Sequence, residues 1–70
     1  MGKLSEFLRQ KRLSLNMSQE DFAKKCDLSY VSIIRVEKGR RVGFKVINNI
    51  AEFLKMSPAE LRKMSNEDNE

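Results

Sequence analysis

The side chains best suited to chemistry are four cations within one short stretch, Arg35, Lys38, Arg40 and Arg41. A guanidinium group donates two parallel hydrogen bonds, which match the oxygen atoms of a phosphate group or the acceptor edge of guanine. Basic clusters are also ordinary solvated surface, so the charge favours nucleic acid only modestly. The cluster predicts a polyanionic partner and leaves a solubilising loop as the alternative.

Catalytic groups are scarce in this sequence. There is no His, and a single Cys26 can form neither an internal disulfide nor a credible zinc site. We expect Cys26 to be a small core residue, because free cysteines are usually buried. No nucleophile has a base beside it, and no strand precedes the glycines of the loop. We therefore expect no enzymatic activity, no metal, no cofactor and no small-molecule ligand.

The chain is short and basic, with 70 residues and a net charge of +4. Residues 1–64 contain all 14 Lys and Arg but only seven of the ten acids, which gives them a net charge of +7. We expect one domain over residues 1–64 and an acidic, disordered tail over residues 65–70. No apolar run approaches the ~20 residues of a membrane span, and no signal-peptide core follows the N-terminus. We expect a cytoplasmic protein with no membrane partner.

The cations end a stretch, residues 18–38, that predicts two short helices joined by a tight turn. Ser18 and Ser29 are good N-caps, and Gly39 supplies the left-handed residue that commonly ends a helix. The small Ala23 allows the close approach of two steeply crossing helices. The inward positions are Phe22, Ala23, Cys26, Ile33 and Val36. This spacing is typical of a helix-turn-helix, although any small helical bundle contains similar hairpins.

Three further helices complete the predicted all-α fold. The first covers about residues 3–15, with an inward stripe of Leu4, Leu8, Arg12 and Leu15. The fourth covers about residues 44–55, with inward positions Ile47, Ile50, Ala51 and Leu54 and a second apolar edge of Val46 and Phe53. Residues 57–60, Ser-Pro-Ala-Glu, form a capping box that begins a fifth helix, which we expect to end near residue 64.

Two stretches of the sequence carry a resemblance to a known family. Residues 17–39 read MSQEDFAKKCDLSYVSIIRVEKG, and residues 50–61 read IAEFLKMSPAEL. Over residues 4–64 the chain resembles the Cro and phage-repressor (XRE-like) class of helix-turn-helix transcriptional regulators. Asp27 stands where that family often has Gly, and Gly43 where it often has Pro. The resemblance implies a five-helix, lambda-repressor-like fold, a double-stranded DNA partner, and a repressor that binds a two-fold related operator as a homodimer.

The inward Arg12 requires an explanation, because a desolvated guanidinium needs a carboxylate partner. The resemblance implies that Arg12 pairs with Glu37, the acid at the end of the second helix of the motif. The alternative is that Arg12 extends along the surface into solvent. We expect a structural ion pair.

The helix that begins after Ser29 presents a distinct outer face. At about 100° per residue, Val31 and Arg35 point furthest from the inward side, with Ile34 and Ser32 beside them. We expect base-reading contacts from Ser29, Tyr30, Val31 and Arg35, and phosphate contacts from Ser18, Gln19, Ser32, Lys38, Arg40 and Arg41. The phosphate contact of Gln19 is one that the resemblance implies. An exposed Val31 and Ile34 would equally suit a protein partner. The alternative function is therefore a helix-turn-helix protein-interaction module, such as an antitoxin or coactivator component.

Apolar residues near the C-terminal end exceed what so small a core needs. They are Phe53, Met56 and Met64. Such a surplus often marks a subunit interface, so we expect a homodimer through these residues. Ordinary core packing is the alternative.

Overall fold

The computed structural model describes the backbone of residues 3–68 and the side chains of residues 3–65. This part of the chain forms five helices and contains no strand. The helices are α1 (Lys3–Ser14), α2 (Gln19–Lys25), α3 (Tyr30–Glu37), α4 (Phe44–Leu54) and α5 (Pro58–Asp68). The predicted all-α, five-helix architecture is confirmed. None of the described helices is long and apolar enough to cross a membrane.

Serine caps define the starts of α2 and α3. Ser18 Oγ accepts a hydrogen bond from the backbone N–H of Asp21 at 3.1 Å, and Ser29 Oγ accepts one from the N–H of Ser32 at 3.3 Å. These bonds satisfy backbone donors that have no partner inside a helix. Between the two helices Asp27 is left-handed, with φ 58°. Asp tolerates this conformation better than most residues, so the tight turn forms without glycine.

The fifth helix begins at the predicted capping box but is longer than expected. Ser57 Oγ accepts from the N–H of Ala59 at 3.2 Å, and the N–H of Ser57 donates to Glu60 Oε1 at 3.3 Å. We expected the helix to end near residue 64 and residues 65–70 to be disordered, whereas α5 continues to Asp68. No Gly or Pro follows the capping box, and extending a formed helix adds a hydrogen bond for each residue ordered. Residues 69 and 70 lie outside the described residues.

The buried core draws on all five helices. Its members are Leu4, Leu8, Phe22, Ala23, Cys26, Ile33, Val36, Ile47, Ile50, Ala51 and Leu61. Phe22 meets Phe53 edge-to-face, with 5.5 Å between ring centroids. α1 packs against both α3 and α5, while α2 packs against α3 and α4 against α5. The inner side of α3 is thereby buried against its neighbours, and its outer side faces away from the core.

One predicted core position is wrong. Leu15 is 44% exposed, although helical spacing places it on the inward stripe of α1. The helix ends at Ser14, and Asn16 is left-handed with φ 56°. Helical periodicity no longer applies once the backbone leaves the helix, so Leu15 turns away from the core.

Candidate nucleic-acid interface

The outer face of α3 is open to solvent. Val31 is 54% exposed and Tyr30 is 46% exposed, and Ser29 and Arg35 are exposed as well. On the opposite side of the helix Ile33 and Val36 are buried. The four side chains that we expect to read bases therefore lie together on one surface, which is the geometry that a groove-binding helix requires.

Ile34 departs from the expected pattern. We expected it to be exposed beside Val31, but it is only partly exposed. Side chains one turn apart on a helix are neighbours, so Tyr30 and Lys38 flank Ile34 on both sides. The apolar pair that would suit a protein partner is therefore reduced mainly to Val31.

A hydrogen-bond network at the end of α3 surrounds the carboxylate of Glu37. Arg12 Nε donates to Glu37 Oε2 at 2.7 Å, and Arg12 Nη2 donates to Oε1 at 3.1 Å. Gln19 Nε2 also donates to Oε1 at 3.1 Å, and Arg12 Nη1 donates to the carbonyl of Met17 at 2.9 Å. The guanidinium and carboxylate thus form the two-pronged ion pair that the resemblance implied. It ties α1 and the start of α2 to the end of α3.

This network also determines the charge of the surface. Glu37 is the sole acid between Leu28 and Gly43, and it is only 5% exposed. Its carboxylate is turned inward to the arginine, away from the outer face of α3. The exposed charges of this segment are consequently all positive, and burying the acid removes the group that would repel a phosphate.

Three of those cations occupy the segment that follows α3. Lys38, Arg40 and Arg41 are all exposed. Gly39 is left-handed with φ 77°, and its N–H donates to the carbonyl of Val36 at 3.0 Å. The N–H of Arg40 donates to the carbonyl of Arg35 at 3.0 Å. This pair of bonds is a Schellman motif, which sets the direction in which the chain carrying the arginines leaves the helix.

The remaining residues expected at phosphates lie at the starts of α2 and α3. Ser18 Oγ is the cap of α2. The side-chain amide nitrogen of Gln19 has two N–H groups, of which one donates to Glu37 and the second can donate to another acceptor. Ser32 Oγ lies 3.1 Å from Ser29 Oγ. Gln19 is thus positioned by the same carboxylate that holds Arg12.

The apolar side chains that we expect at a dimer interface lie beside the core. Phe53, Met56 and Met64 are partly buried and pack against the core. Part of their apolar area is used inside the domain, because each packs against the buried cluster. Core packing therefore accounts for part of the apolar surplus, and a homodimer through these residues stays a prediction.

Two features escaped the sequence reasoning. Arg9 Nη2 donates to the Glu37 carbonyl at 3.1 Å, and its Nε lies 3.9 Å from Glu37 Oε1. Its position one turn before Arg12 was a usable signal. Phe44 is 73% exposed, with the guanidinium carbon of Arg62 5.5 Å from its ring centroid. Sequence spacing gave no signal for this exposure, because a residue three before Ile47 would be expected on the inward side.

Cys26 is a core residue with no exposed reactive surface. Its side chain is buried, and burial raises the pKa of the Cys26 thiol to about 11. A thiol of this kind is neutral at physiological pH and is a poor nucleophile. Within the described part of the chain, no three residues of metal-ligating type come together.

Comparison with known proteins agrees with this geometry. The sequence profile of the helix-turn-helix family, in its Cro-repressor-like form, matches residues 8–61. A search of curated proteins returns no match, and a search of solved structures returns none either. The matched region contains α2, α3, the cations that follow α3 and both partners of the Arg12–Glu37 pair. The chain therefore belongs to the Cro- and phage-repressor-like (XRE) family of helix-turn-helix DNA-binding regulators.

Proposed function

We propose that this chain is a sequence-specific repressor that inserts α3 into the major groove of duplex DNA and binds a two-fold related operator as a homodimer. The observation that carries the proposal is the charge of the α3 surface. Every exposed charged side chain from Leu28 to Gly43 is a cation, and the one acid of that segment is buried in an ion pair. A surface of this kind attracts a polyanion and leaves base edges to be read by the helix.

Sequence discrimination is assigned to the outer face of α3. Arg35 is the residue able to form two hydrogen bonds with guanine, and exposed Val31 suits contact with a thymine methyl group. Ser29 and Tyr30 lie at the start of the helix, which is the end that usually enters the groove. These four residues would read the sequence.

Phosphate contacts are assigned to the residues on either side of that face. Lys38, Arg40 and Arg41 follow α3, and Ser18, Gln19 and Ser32 lie at the helix starts. Gln19 donates to Glu37, so a phosphate held at the start of α2 would be coupled to the end of α3 through one carboxylate. Contacts of this class fix orientation without reading sequence.

Binding to DNA is by itself enough for repression. A domain seated in the major groove over a promoter excludes other proteins from the same DNA. Family membership supports a regulatory role, and a two-fold operator would double the number of base contacts. Two recognition helices would then occupy half-sites ~34 Å apart or a multiple of that distance.

The second candidate is a protein-interaction module that uses the Val31 and Ile34 face. Exposed Val31 favours it, whereas the partial burial of Ile34 reduces the apolar area available. A protein-binding surface also has little need of four nearby cations. The DNA-binding proposal accounts for more of the surface.

Selection of bound duplexes from a random-sequence library tests the proposal. We expect a pair of inverted half-sites to be enriched, and the affinity for random duplex to fall steeply as salt rises. A reporter whose promoter overlaps the enriched site should then be repressed by the chain. If no duplex is enriched and the affinity for DNA does not depend on salt, the protein-interaction function replaces this one.

A further inference from the structure

Arg9 is a half-exposed cation of α1 that the proposed function does not use. Its Nη2 donates to the main-chain carbonyl of Glu37 at 3.1 Å, and its Nε lies 3.9 Å from Glu37 Oε1. The two residues are 28 positions apart, so the bond exists only because α1 packs against α3. Arg9 is thus a direct link between α1 and the helix that is proposed to read DNA.

The bond satisfies an acceptor that α3 cannot satisfy by itself. The last carbonyls of a helix have no partner within the helix. At the end of α3 the Schellman motif supplies donors to the carbonyls of Arg35 and Val36, and Arg9 supplies one to the carbonyl of Glu37. A cation at this position also interacts favourably with the negative end of the helix dipole. Arg9 therefore completes the C-terminal cap of α3.

Arg9 and Arg12 hold different parts of Glu37. Arg12 bonds the carboxylate, which rotatable side-chain bonds separate from the main chain. Arg9 bonds the main chain itself, so it restrains the end of the helix directly. The Arg9 side chain is 41% exposed, against 12% for Arg12, and contacts that exposed add little to the free energy of unfolding. The effect of Arg9 therefore lies in where α3 is held rather than in whether the chain folds.

The end of α3 carries the residue to which we assign the most demanding contact. Arg35 lies in the last turn of this helix, the same turn as Glu37. Two parallel hydrogen bonds with guanine require the plane of the guanidinium to align with the edge of the base, so they tolerate little rotation of the helix. Phosphate contacts carry no sequence information and do not depend on that alignment. A restraint on the last turn should therefore affect base discrimination more than overall affinity.

We propose that Arg9 is a positioning residue for base recognition. By bonding the Glu37 carbonyl it holds the last turn of α3, and with it Arg35, at the angle that a two-bond contact with guanine requires. The inference rests on the proposed reading of DNA by α3 and adds a specificity-determining residue to it. Arg9 acts through α3 and is not itself a contact with DNA.

The first test compares Arg9→Met with Lys11→Met, a matched change at an exposed residue of the same helix. Each variant removes one positive charge and keeps an aliphatic stem, so any effect of net charge on DNA affinity is common to both. The measured quantity is the affinity for the selected duplex divided by that for a duplex altered at the base pair that Arg35 reads. This ratio should fall about 3- to 10-fold in Arg9→Met, the scale of one hydrogen bond, and should not change in Lys11→Met.

Two results of this comparison would overturn the proposal. If Arg9→Met weakens binding to all duplexes equally and lowers the salt slope by about one relative to Lys11→Met, Arg9 is a phosphate contact. Both variants should melt within ~4 °C of wild type, because each changes an exposed part of the surface. A larger fall in the melting temperature of Arg9→Met together with unchanged discrimination would make Arg9 a stabilising residue only.

The second test asks whether Arg9 acts through Arg35. In a chain that already carries Arg35→Ala, adding Arg9→Met should change the same affinity ratio by less than about twofold, because the side chain that Arg9 positions is absent. The two changes are then strongly non-additive. If Arg9→Met lowers the ratio as much in the Arg35→Ala chain as in wild type, Arg9 does not act through Arg35 and the proposal fails.

Amide hydrogen exchange tests the restraint on α3 without DNA. The N–H of Arg40 donates across the end of α3 at 3.0 Å, and the N–H of Met56 makes the equivalent bond at the end of α4 at 2.9 Å. Arg9→Met should speed exchange at Arg40 about 3- to 10-fold relative to Met56, whereas Lys11→Met should leave the ratio of the two rates unchanged.

An unchanged ratio of exchange rates in Arg9→Met would show that Arg9 does not hold the end of α3, and would overturn the proposal. A chain that binds no duplex refutes the proposed function alone, because exchange at Arg40 still decides whether Arg9 restrains the helix.

Discussion

Replacing Glu37 with alanine should remove a large part of the stability of this domain. Arg12 Nε and Nη2 would lose both acceptors, and only the bond from Nη1 to the Met17 carbonyl would remain. The Arg12 side chain is only 12% exposed, so little solvent reaches the guanidinium to replace the lost carboxylate. The variant therefore leaves a cation desolvated and unpaired.

The structure allows the magnitude to be estimated. Removing one partner of a buried pair typically costs ~3 kcal/mol or more, because the remaining charge keeps its desolvation penalty. A domain of this length is stable by roughly 4 to 10 kcal/mol in total. For so small a domain a loss of that size lowers the melting temperature by roughly 12 to 24 °C.

Thermal and urea unfolding followed by helical circular dichroism measure this effect. Glu52→Ala is the matched control, since it removes an exposed glutamate from α4 and should change stability by less than ~0.5 kcal/mol. Combining Glu37→Ala with Arg12→Met should cost less than the sum of the two single changes, because no unpaired cation remains at position 12. The coupling should be ~1 kcal/mol or more.

A loss from Glu37→Ala below ~0.5 kcal/mol would refute this reasoning. That result would mean that Arg12 reaches solvent readily and that the pair is only a surface contact. Additive effects in the double variant would lead to the same conclusion. Arg9 would also lose its Oε1 contact at 3.9 Å, but at that distance and exposure its share is small.

Three further predictions concern the DNA surface and the core. Arg40→Ala and Arg41→Ala should each weaken specific and random duplex binding alike and lower the slope of log affinity against log salt by about one, whereas Lys24→Ala on α2 should change neither. Arg35→Ala should relax the preference at one base pair of each half-site by ~1 to 3 kcal/mol and leave random-duplex affinity nearly unchanged, as measured by competition binding. The contribution of the Cys26 thiol to the free energy of unfolding should be fully present below pH 9 and should be lost as the pH rises towards 11. The reason is that the unfolded thiol has its ordinary pKa of 9.0, while burial raises the pKa of Cys26 to about 11 in the folded chain. Cys26→Ala should remove this part of the loss of stability at alkaline pH.

Distinct outcomes would contradict each of these. Equal weakening of all sequences by Arg35→Ala would make it a phosphate contact and would mean that α3 is rotated from the proposed orientation. An unchanged salt slope in both loop variants would remove Arg40 and Arg41 from the interface. An identical alkaline profile in Cys26→Ala would assign the loss of stability to other groups.

Most of the helices were predictable from local signals. Ser18 and Ser29 mark two helix starts, and Gly39 follows the end of α3, because caps act through bonds to residues only two to four positions away. The inward stripes of α2, α3 and α4 followed from spacing within each helix. The length of the fifth helix was underestimated, because no residue in the sequence signals where that helix ends.

Much of the candidate site was also accessible from the sequence. Residues on one helix face share a surface whatever the rest of the chain does, so the common face of Val31 and Arg35 followed from periodicity. The Arg12–Glu37 pair came from family resemblance, since no local rule joins residues 25 positions apart. The position of Arg9 one turn before Arg12 was a usable signal, whereas the bond from Gln19 to Glu37 is a contact that only the tertiary structure shows.

By itself the sequence determined the helix-turn-helix, its caps and the faces of its helices, because those depend on interactions within a few residues. Only the tertiary structure decided how much of each face stays exposed. Phe44, three residues before buried Ile47, was left open, and Ile34 was partly covered. Exposure depends on which helices pack against a face and at what angle, and that is a property of the whole chain rather than of any one segment.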